Sequence, residues 1–514
     1  MPKGNSEDIS YDGTNPTLQT TPTWAGGNGI TTSLFPISDA SNNTITVDYT
    51  GPATNPFRVF GGVSQSENVS GNKVTMLNGT ITDRIYGGFA HGAGMTATHN
   101  SVIMSGGSAV RVFGGHSTNG DATQNSVSVS STANITGGYV IGGFSMNQNA
   151  KDNRVAIAGG TVGSAGNAFV MGGWVGVGTG EASGNEVALS DGNVDGNVYG
   201  AYSNASGTLF NNRIVANGGT VANSVYGAYS NTGATVSGNH VLIDGTTISE
   251  HVWGASSNGV GVATDNKVVM KSGSVKQIIG GQSITGNVAG NAVEVHGGTV
   301  NHTVVGGMAF TSGKVEGNTV LVEGGSFALS ASIHGGWTYT GTATGNVVTI
   351  NGGTGLARVS GGRSDGGGEA SGNIVNIAGG TFVDDGNGII YGGYTTNNSG
   401  TGADAAINNT VNLSGSSLLE NVRIYGGYDD SLVNDARTGN TLNVNGFSGS
   451  VATVNNFENY NFHIASNLQS GAVILDISGT TAIATDLDGA NITMTGVESG
   501  AALATGNSGC PLHC

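Results

Sequence analysis

The chain has 514 residues, of which 93 are Gly and only 10% are charged, whereas an ordinary globular domain has about 7% Gly and about 25% charged residues. Its net charge is −17, and no cluster of Lys and Arg is present to neutralise phosphates, which argues against a nucleic-acid partner. The two cysteines, Cys510 and Cys514, lie at the very end, so the body has no disulfide framework and must hold itself by packing and hydrogen bonds.

Residues 1–42 read as an N-terminal segment or cap. They contain no apolar run resembling a signal peptide, and no later stretch approaches the ~18 consecutive apolar residues that a membrane-spanning helix needs. If the chain is exported, its signal was removed or lies outside this sequence.

Residues 43–450 are built from one repeat. Its opening phrase is Asn-x-Val-x-Val, with Ile, Leu, Met or occasionally Ala in place of Val. It occurs at Asn43, Asn72, Asn100, Asn125, Asn153, Asn185, Asn212, Asn239, Asn266, Asn291, Asn318, Asn346, Asn373, Asn409 and Asn440, a mean spacing of about 28 residues. A second phrase follows in the first fourteen units: a β-branched residue, often an aromatic, then Gly-Gly or Gly-Ala, as in Ile85-Tyr86-Gly87-Gly88 and Val198-Tyr199-Gly200-Ala201. Between them lies a third, as in Gly159-Gly160-Thr161-Val162.

Period-2 spacing is a strand signal, so each unit should hold three short strands separated by turns. The segments between the Gly-Gly phrase and the next Asn are too long for the two-to-five-residue loops of antiparallel hairpins. The expected fold is therefore all-β, a right-handed parallel β-helix (solenoid) of about 15 coils with a C-terminal β cap. At about 4.8 Å per coil it would form a rod of about 70 Å.

The column logic explains the residue choices. Val74, Val102, Val127, Val155, Val187, Ile214 and Val241 should stack inward, and the asparagines should form a ladder at a bend. The paired glycines should supply positive-φ turns and allow close approach at corners. Insertions should project as loops, the longest lying between Gly393 and Asn409 and between Gly427 and Asn440.

Residues 451–505 read as a distinct C-terminal cap, and 506–514 as a flexible tail. The cap contains Val454-Asn455-Asn456-Phe457-Glu458-Asn459-Tyr460-Asn461-Phe462-His463-Ile464, continued by Gly471-Ala472-Val473-Ile474-Leu475-Asp476-Ile477. This run resembles the Asn-Phe-Glu-x-Tyr-x-Phe stretch and following strand that close the β-helix just before the membrane barrel in autotransporter passenger regions of Gram-negative bacteria. The likeness covers nearly the whole chain as a style of repeat, and residues 451–500 as a specific motif. It implies a non-enzymatic surface-display or adhesion protein, extracellular or on the bacterial cell surface. The family's export signal and C-terminal barrel have no counterpart in this sequence, so a membrane would be met only through that barrel.

Catalytic signatures are scarce. Gly362-Arg363-Ser364-Asp365-Gly366 fits Gly-x-Ser-x-Gly without the strand-turn-helix context that gives the motif its chemistry. Parallel β-helices also host polysaccharide lyases and glycosidases, which need converging carboxylates. The acidic candidates are Asp384, Asp385, Asp429 and Asp430, expected on different faces as solvated loop residues. Cys510, His513 and Cys514 could supply metal ligands, but a flexible end is the simpler reading. No cofactor or metal is expected, nor is the chain expected to be an enzyme; a purely structural spacer is the third reading.

The feature that stands out is aromatic. Phe60, Tyr86, Phe113, Tyr199, Tyr226, Trp253, Tyr391 and Tyr425 precede the glycine pair. Phe89, Phe144, Trp174, Tyr202, Tyr229, Trp337, Tyr394 and Tyr428 follow three residues later. Alternation should send one of these two columns to the surface, as a platform for a host or matrix glycan or protein, or for self-association; the other reading is that both columns merely pack over neighbouring coils and long loops.

Overall fold

The structure is a computed structural model that describes residues 40–50, 58–383, 388–396, 405–432, 435–464, 473–477, 485 and 487–496. It also gives the backbone of 8–11, 18–20, 32–34 and 512–513. The chain divides into two units, Met1–Val262 and Ala263–Cys514. All regular structure among the described residues is β-strand. Each unit is a parallel β-solenoid, with eight ladder asparagines opening coils in the first and seven in the second, about fifteen coils in all.

The coil opened by Asn212 shows the path. Arg213–Ala216, Thr220–Val221, Val225–Ser230 and Val236–Ser237 follow one another as extended segments. Each lies parallel to its counterpart one coil earlier, with Val187↔Ile214, Val194↔Val221, Val198↔Val225 and Leu209↔Val236 in register. Four extended segments therefore make a coil, where the sequence suggests three. The fourth spans two residues, too few to carry a period-2 signal.

The first segment alternates as Asn-x-Val-x-Val requires. In Arg213–Ala216 the second and fourth residues are buried while the first is exposed. The Val74 to Val241 column is at most 1% exposed throughout, and each such side chain contributes about 1.5–3 kcal/mol on burial. The second unit repeats the column with Val268, Val293, Val320, Val348, Val375, Val411 and Leu442, all buried.

The asparagines close the turn into this segment. Oδ1 of Asn153 accepts from the main-chain N–H and from Nδ2 of Asn125, both at 3.0 Å. Nδ2 of Asn153 donates to Asn185 Oδ1 at 3.0 Å and to Ala122 O at 2.9 Å. The Asn-to-Asn bond repeats from Asn43 to Asn239 in the first unit and from Asn266 to Asn440 in the second.

The residue before each ladder asparagine has positive φ: Asn42, His99, Gln124, Asp152, Asn211, Asp265 and Asn408, and Gly at the other eight places. Such backbone favours Gly and, among other residues, Asn and Asp. This signal stands in the sequence as Gly-Asn, Asp-Asn and Asn-Asn, and the repeat phrase as read above does not include it.

At the ends, Asp8–Tyr11 pairs in parallel with Thr44–Val47, and Leu18–Thr20 pairs antiparallel with Thr32–Leu34. Asn459–His463 stacks in parallel on Thr441–Asn445, and Asn491–Thr495 stacks on Asn459–His463. Phe457, Tyr460 and Phe462 are buried there. Of the two long segments expected as loops, residues 397–404 and 433–434 lie outside the described residues.

Candidate functional site

The strand Val225–Ser230 shows how the aromatic face is made. Val225 is buried, Tyr226 half-buried, Gly227 and Ala228 both buried, Tyr229 half-buried and Ser230 buried. Two adjacent buried residues interrupt the alternation, so the ring three positions on returns to the same side. The expectation that alternation sends only one column outward is thus corrected. Both columns share one face, and rings of the same coil touch: Tyr199 and Tyr202 at 5.3 Å, Tyr226 and Tyr229 at 5.2 Å, Tyr391 and Tyr394 at 5.1 Å.

The glycine pair also acts differently from the expectation. Gly87, Gly88, Gly142 and Gly143 do not have positive φ; what excludes a side chain is close approach. A Cβ on Gly142 would stand 2.5 Å from Gly172 O in the next coil, and one on Gly143 would stand 2.2 Å from Asn153 Oδ1. The second glycine leaves the space that the ladder asparagine fills, and the same holds for Gly173 with Asn185 and Gly362 with Asn373. Ala201 and Ala228 occupy the equivalent place fully buried, so those two coils accommodate a methyl that the close approach at Gly143 does not.

In the first unit the column before the glycines runs Phe60, Tyr86, Phe113, Ile141, Met171, Tyr199, Tyr226, Trp253. Rings stack near-parallel where consecutive: Phe60 on Tyr86 at 5.1 Å, Tyr199 on Tyr226 at 5.0 Å, Tyr226 on Trp253 at 4.4 Å. Such pairs add about 0.5–1.5 kcal/mol beyond area burial. Tyr86 and Tyr199 are buried, whereas Trp174, Tyr202, Tyr226, Tyr229 and Trp253 are half-buried. Burial, followed by the neighbouring tyrosines, pushes the Tyr199 phenol well above its ordinary pKa, so these phenols are neutral hydrogen-bonding groups. His116 continues the second column between Phe89 and Phe144, 4.6 Å from each. Burial first, then Arg84 and His91, push its pKa down to about 3.

A third column went unread. Two residues before the first ring column, Arg84, Arg111, Tyr139 and Phe169 stack on the same side, with the Arg111 guanidinium 4.8 Å from the Tyr139 ring and Tyr139 on Phe169 at 5.1 Å. Period 2 counted backwards from the rings would have found it.

In the second unit the corresponding columns are Val305, His334, Ser360, Tyr391, Tyr425 and Met308, Trp337, Arg363, Tyr394, Tyr428. Tyr391 and Tyr425 are buried; Trp337, Tyr394 and Tyr428 are half-buried. The small Ser360 and the charged Arg363 interrupt the rings. A small open cleft of about 110 Å³ lies at this interruption, lined by His334, Arg358, Ser360, Arg363, Tyr391, Tyr394, Tyr428 and Asp430. His334 is 1% exposed and held between Ser360 Oγ at 2.7 Å and Ser332 Oγ at 3.0 Å. Burial first, then Arg363 and Arg358, hold its pKa well below the ordinary value, so it is neutral.

The remaining sequence candidates are placed as follows. Ser364 of the Gly-x-Ser-x-Gly run is fully buried, its hydroxyl donating to Gly341 O at 2.9 Å, a position closed to a substrate. Asp365 instead binds Trp337 Nε1 at 2.9 Å and Arg363 Nε at 2.7 Å. Asp429 is buried, with Ser431 Oγ on it at 2.6 Å, while Asp430 is exposed at the cleft rim. Asp384, Asp385, Cys510 and Cys514 lie outside the described residues, and only the backbone of His513 is described. No carboxylate bonds to His334 among the described residues, so the Ser–His contact lacks the orienting acid that an activated nucleophile uses. The arrangement can stack, donate hydrogen bonds and attract an anion. No family model, curated protein or solved structure matches this chain.

Proposed function

We propose that this chain is a non-enzymatic surface-display and adhesion protein, the passenger region of a bacterial autotransporter, presented outside the cell. Its aromatic face would engage a glycan or protein of host or matrix, or a second copy of the chain. The observation that carries this reading is the part of the double ring column that reaches solvent, Trp174, Tyr202, Tyr226, Tyr229 and Trp253, half-buried over the buried rings Phe60, Tyr86, Phe89, Phe113, Phe144 and Tyr199 of the first unit. Amphipathic rings with two side-chain torsions lose little entropy on contact, which suits them to recognition. The stretch from Val454 to Ile477, with its likeness to autotransporter passengers, supports the placement at the cell surface.

The lyase or glycosidase alternative needs a pair of carboxylates in one groove, whereas the second-unit cleft is lined by Asp430 alone among carboxylates. A glycan and cell-binding screen with the purified chain tests the adhesion reading, with the Tyr202→Ala/Tyr229→Ala double variant alongside. Retention of the parent on a glycan, matrix protein or cell, weakened in the variant, is the expected result. A folded parent that binds none of them, or a variant that binds as well as the parent, sinks it.

A further inference from the structure

The cleft in the second unit differs chemically from the rest of the aromatic face, and its donors point to a ligand class. Arg363 lies between two rings, its guanidinium 4.9 Å from the Trp337 ring and 5.2 Å from the Tyr394 ring. Its Nε is occupied by Asp365 Oδ1 at 2.7 Å, while its Nη groups make no hydrogen bond among the described residues. Arg358 is exposed and makes neither ion pair nor hydrogen bond among the described residues. The hydroxyls of Tyr391, Tyr394 and Tyr428 likewise have no partner there, and burial raises the pKa of all three phenols, so each is a neutral donor. The one acceptor of full charge on the lining is Asp430 at the rim.

In a chain of net charge −17, a cleft lined by two arginines, one of them paired through Nε with Asp365, by Asp430 and by three phenols without a partner among the described residues offers more donors than acceptors, which favours an acceptor-rich ligand. A guanidinium with both Nη groups available matches a planar carboxylate in two-pronged fashion. The flanking rings offer apolar surface to the C–H face of a sugar ring.

We propose that this cleft is a subsite for a carboxylate-bearing pyranose, a uronic acid or a sialic-type sugar within a longer glycan. Its carboxylate would sit on Arg363 and Arg358, its hydroxyls on the tyrosine phenols and Asp430. The proposal rests on the reading of the aromatic face as a binding surface and names the chemistry that one part of it selects.

The test uses the full chain in titration calorimetry with oligogalacturonate, oligoglucuronate and sialyllactose. Each is compared with its methyl ester, which keeps the shape and loses the charge, and with a sulfated oligosaccharide. At least one acid form should bind about tenfold or more tightly than its ester. Tyr391→Phe, which removes only a hydroxyl, and Arg363→Lys, which keeps the charge and loses the planar fork, should each weaken that binding severalfold. Lys271→Ala, which removes an exposed charge elsewhere, should not. Circular dichroism shows whether each variant keeps the fold. Failure of the folded parent to bind any acid form, equal binding of acid and ester, preference for the sulfated sugar, or parent-like binding by both Tyr391→Phe and Arg363→Lys would each overturn the proposal. Cell or glycan adhesion that depends on Tyr202 and Tyr229 but shows no acid preference removes this inference alone. Acidic-sugar binding at Arg363 without adhesion to any cell or matrix removes the adhesion reading and leaves the subsite standing.

Discussion

Replacing Asn153 with Ala removes one rung from the middle of the first unit's ladder, and the cost can be worked from four hydrogen bonds. Two are accepted by Oδ1, from Asn125 N–H and Asn125 Nδ2 at 3.0 Å each. Two are donated by Nδ2, to Ala122 O at 2.9 Å and Asn185 Oδ1 at 3.0 Å. At about 0.5–1.5 kcal/mol net per bond the loss is about 4 kcal/mol, and the Asn125 N–H is left buried without its acceptor. Solenoid stability is a sum of coil and nearest-neighbour contributions, so the damage should concentrate in the coils opened by Asn125, Asn153 and Asn185. Native-state hydrogen exchange reads this directly: the Asn125 amide should exchange about a thousandfold faster. Asn193→Ala serves as the control, because Asn193 is exposed and its Oδ1 accepts one bond from Thr220 Oγ1 at 2.8 Å; its effect should stay below about 0.5 kcal/mol. If the two substitutions destabilise the chain alike, the ladder is decoration and the reasoning fails.

Gly143→Ala should destabilise the parent by about 1–3 kcal/mol, because the added methyl meets the Asn153 side chain, and by less in Asn153→Ala; a double-mutant cycle with no coupling contradicts the contact. His116 is neutral in the folded chain with its pKa pushed down to about 3, below the unfolded value near 6.5, so the stability it contributes is present above about pH 6.5 and is lost as pH falls toward 3. His116→Phe, which fits between Phe89 and Phe144, should flatten that part of the pH dependence in urea unfolding between pH 7 and pH 4; an unchanged slope rules His116 out as its source. Phe457→Ala and Phe462→Ala, at buried positions, should each cost about 3–5 kcal/mol locally. They should speed exchange near residues 409–445 while residues 72–160 stay as in the parent, and equal protection throughout would mean that the segment is no cap.

The parallel register and the inward columns were legible because Asn-x-Val-x-Val states both a period and a place in the coil. Val74 and Val102 announce that they stack simply by recurring at one offset from a recurring Asn. The fourth extended segment was not legible, since Ala97–Thr98 or Ala122–Thr123 is too short to show a period, and it exists because its carbonyls accept from ladder amides: Ala97 O from Asn125 and Ala122 O from Asn153. The positive-φ residue before each Asn was legible and overlooked, because its identity varies among Gly, Asn, Asp, His and Gln and only the backbone conformation is constant. For the candidate site, the rings were found and their sides misassigned. Alternation is a rule for unbroken strands, and the Gly-Gly or Gly-Ala pair, two small residues buried side by side, is where the strand departs from it. The cleft was invisible for a further reason: Ser360 and Arg363 look like gaps in an aromatic pattern until the neighbouring coils show that His334, Trp337, Tyr391 and Tyr394 surround them.

The glycine pair therefore joins two properties that a reading by motif keeps separate. The missing Cβ of Gly143 admits the Asn153 amide, and the rings on either side of such a pair lie on one face, as Tyr391 and Tyr394 show on either side of Gly392 and Gly393. The ladder fixes the backbone, so the spacing of successive rings is fixed as well: 5.0 Å between Tyr199 and Tyr226, 5.5 Å between Tyr202 and Tyr229. A surface preset in this way has little left to order when a partner arrives, which lowers the entropy lost on binding. Along the second column the identity changes from Phe89 to His116, Phe144, Trp174 and Tyr202, and in the second unit from Trp337 to Arg363 to Tyr394, while the inward valines and the ladder asparagines hold their register. The inward side of the strand keeps one chemistry, so that of the ring face can vary coil by coil without any change of register.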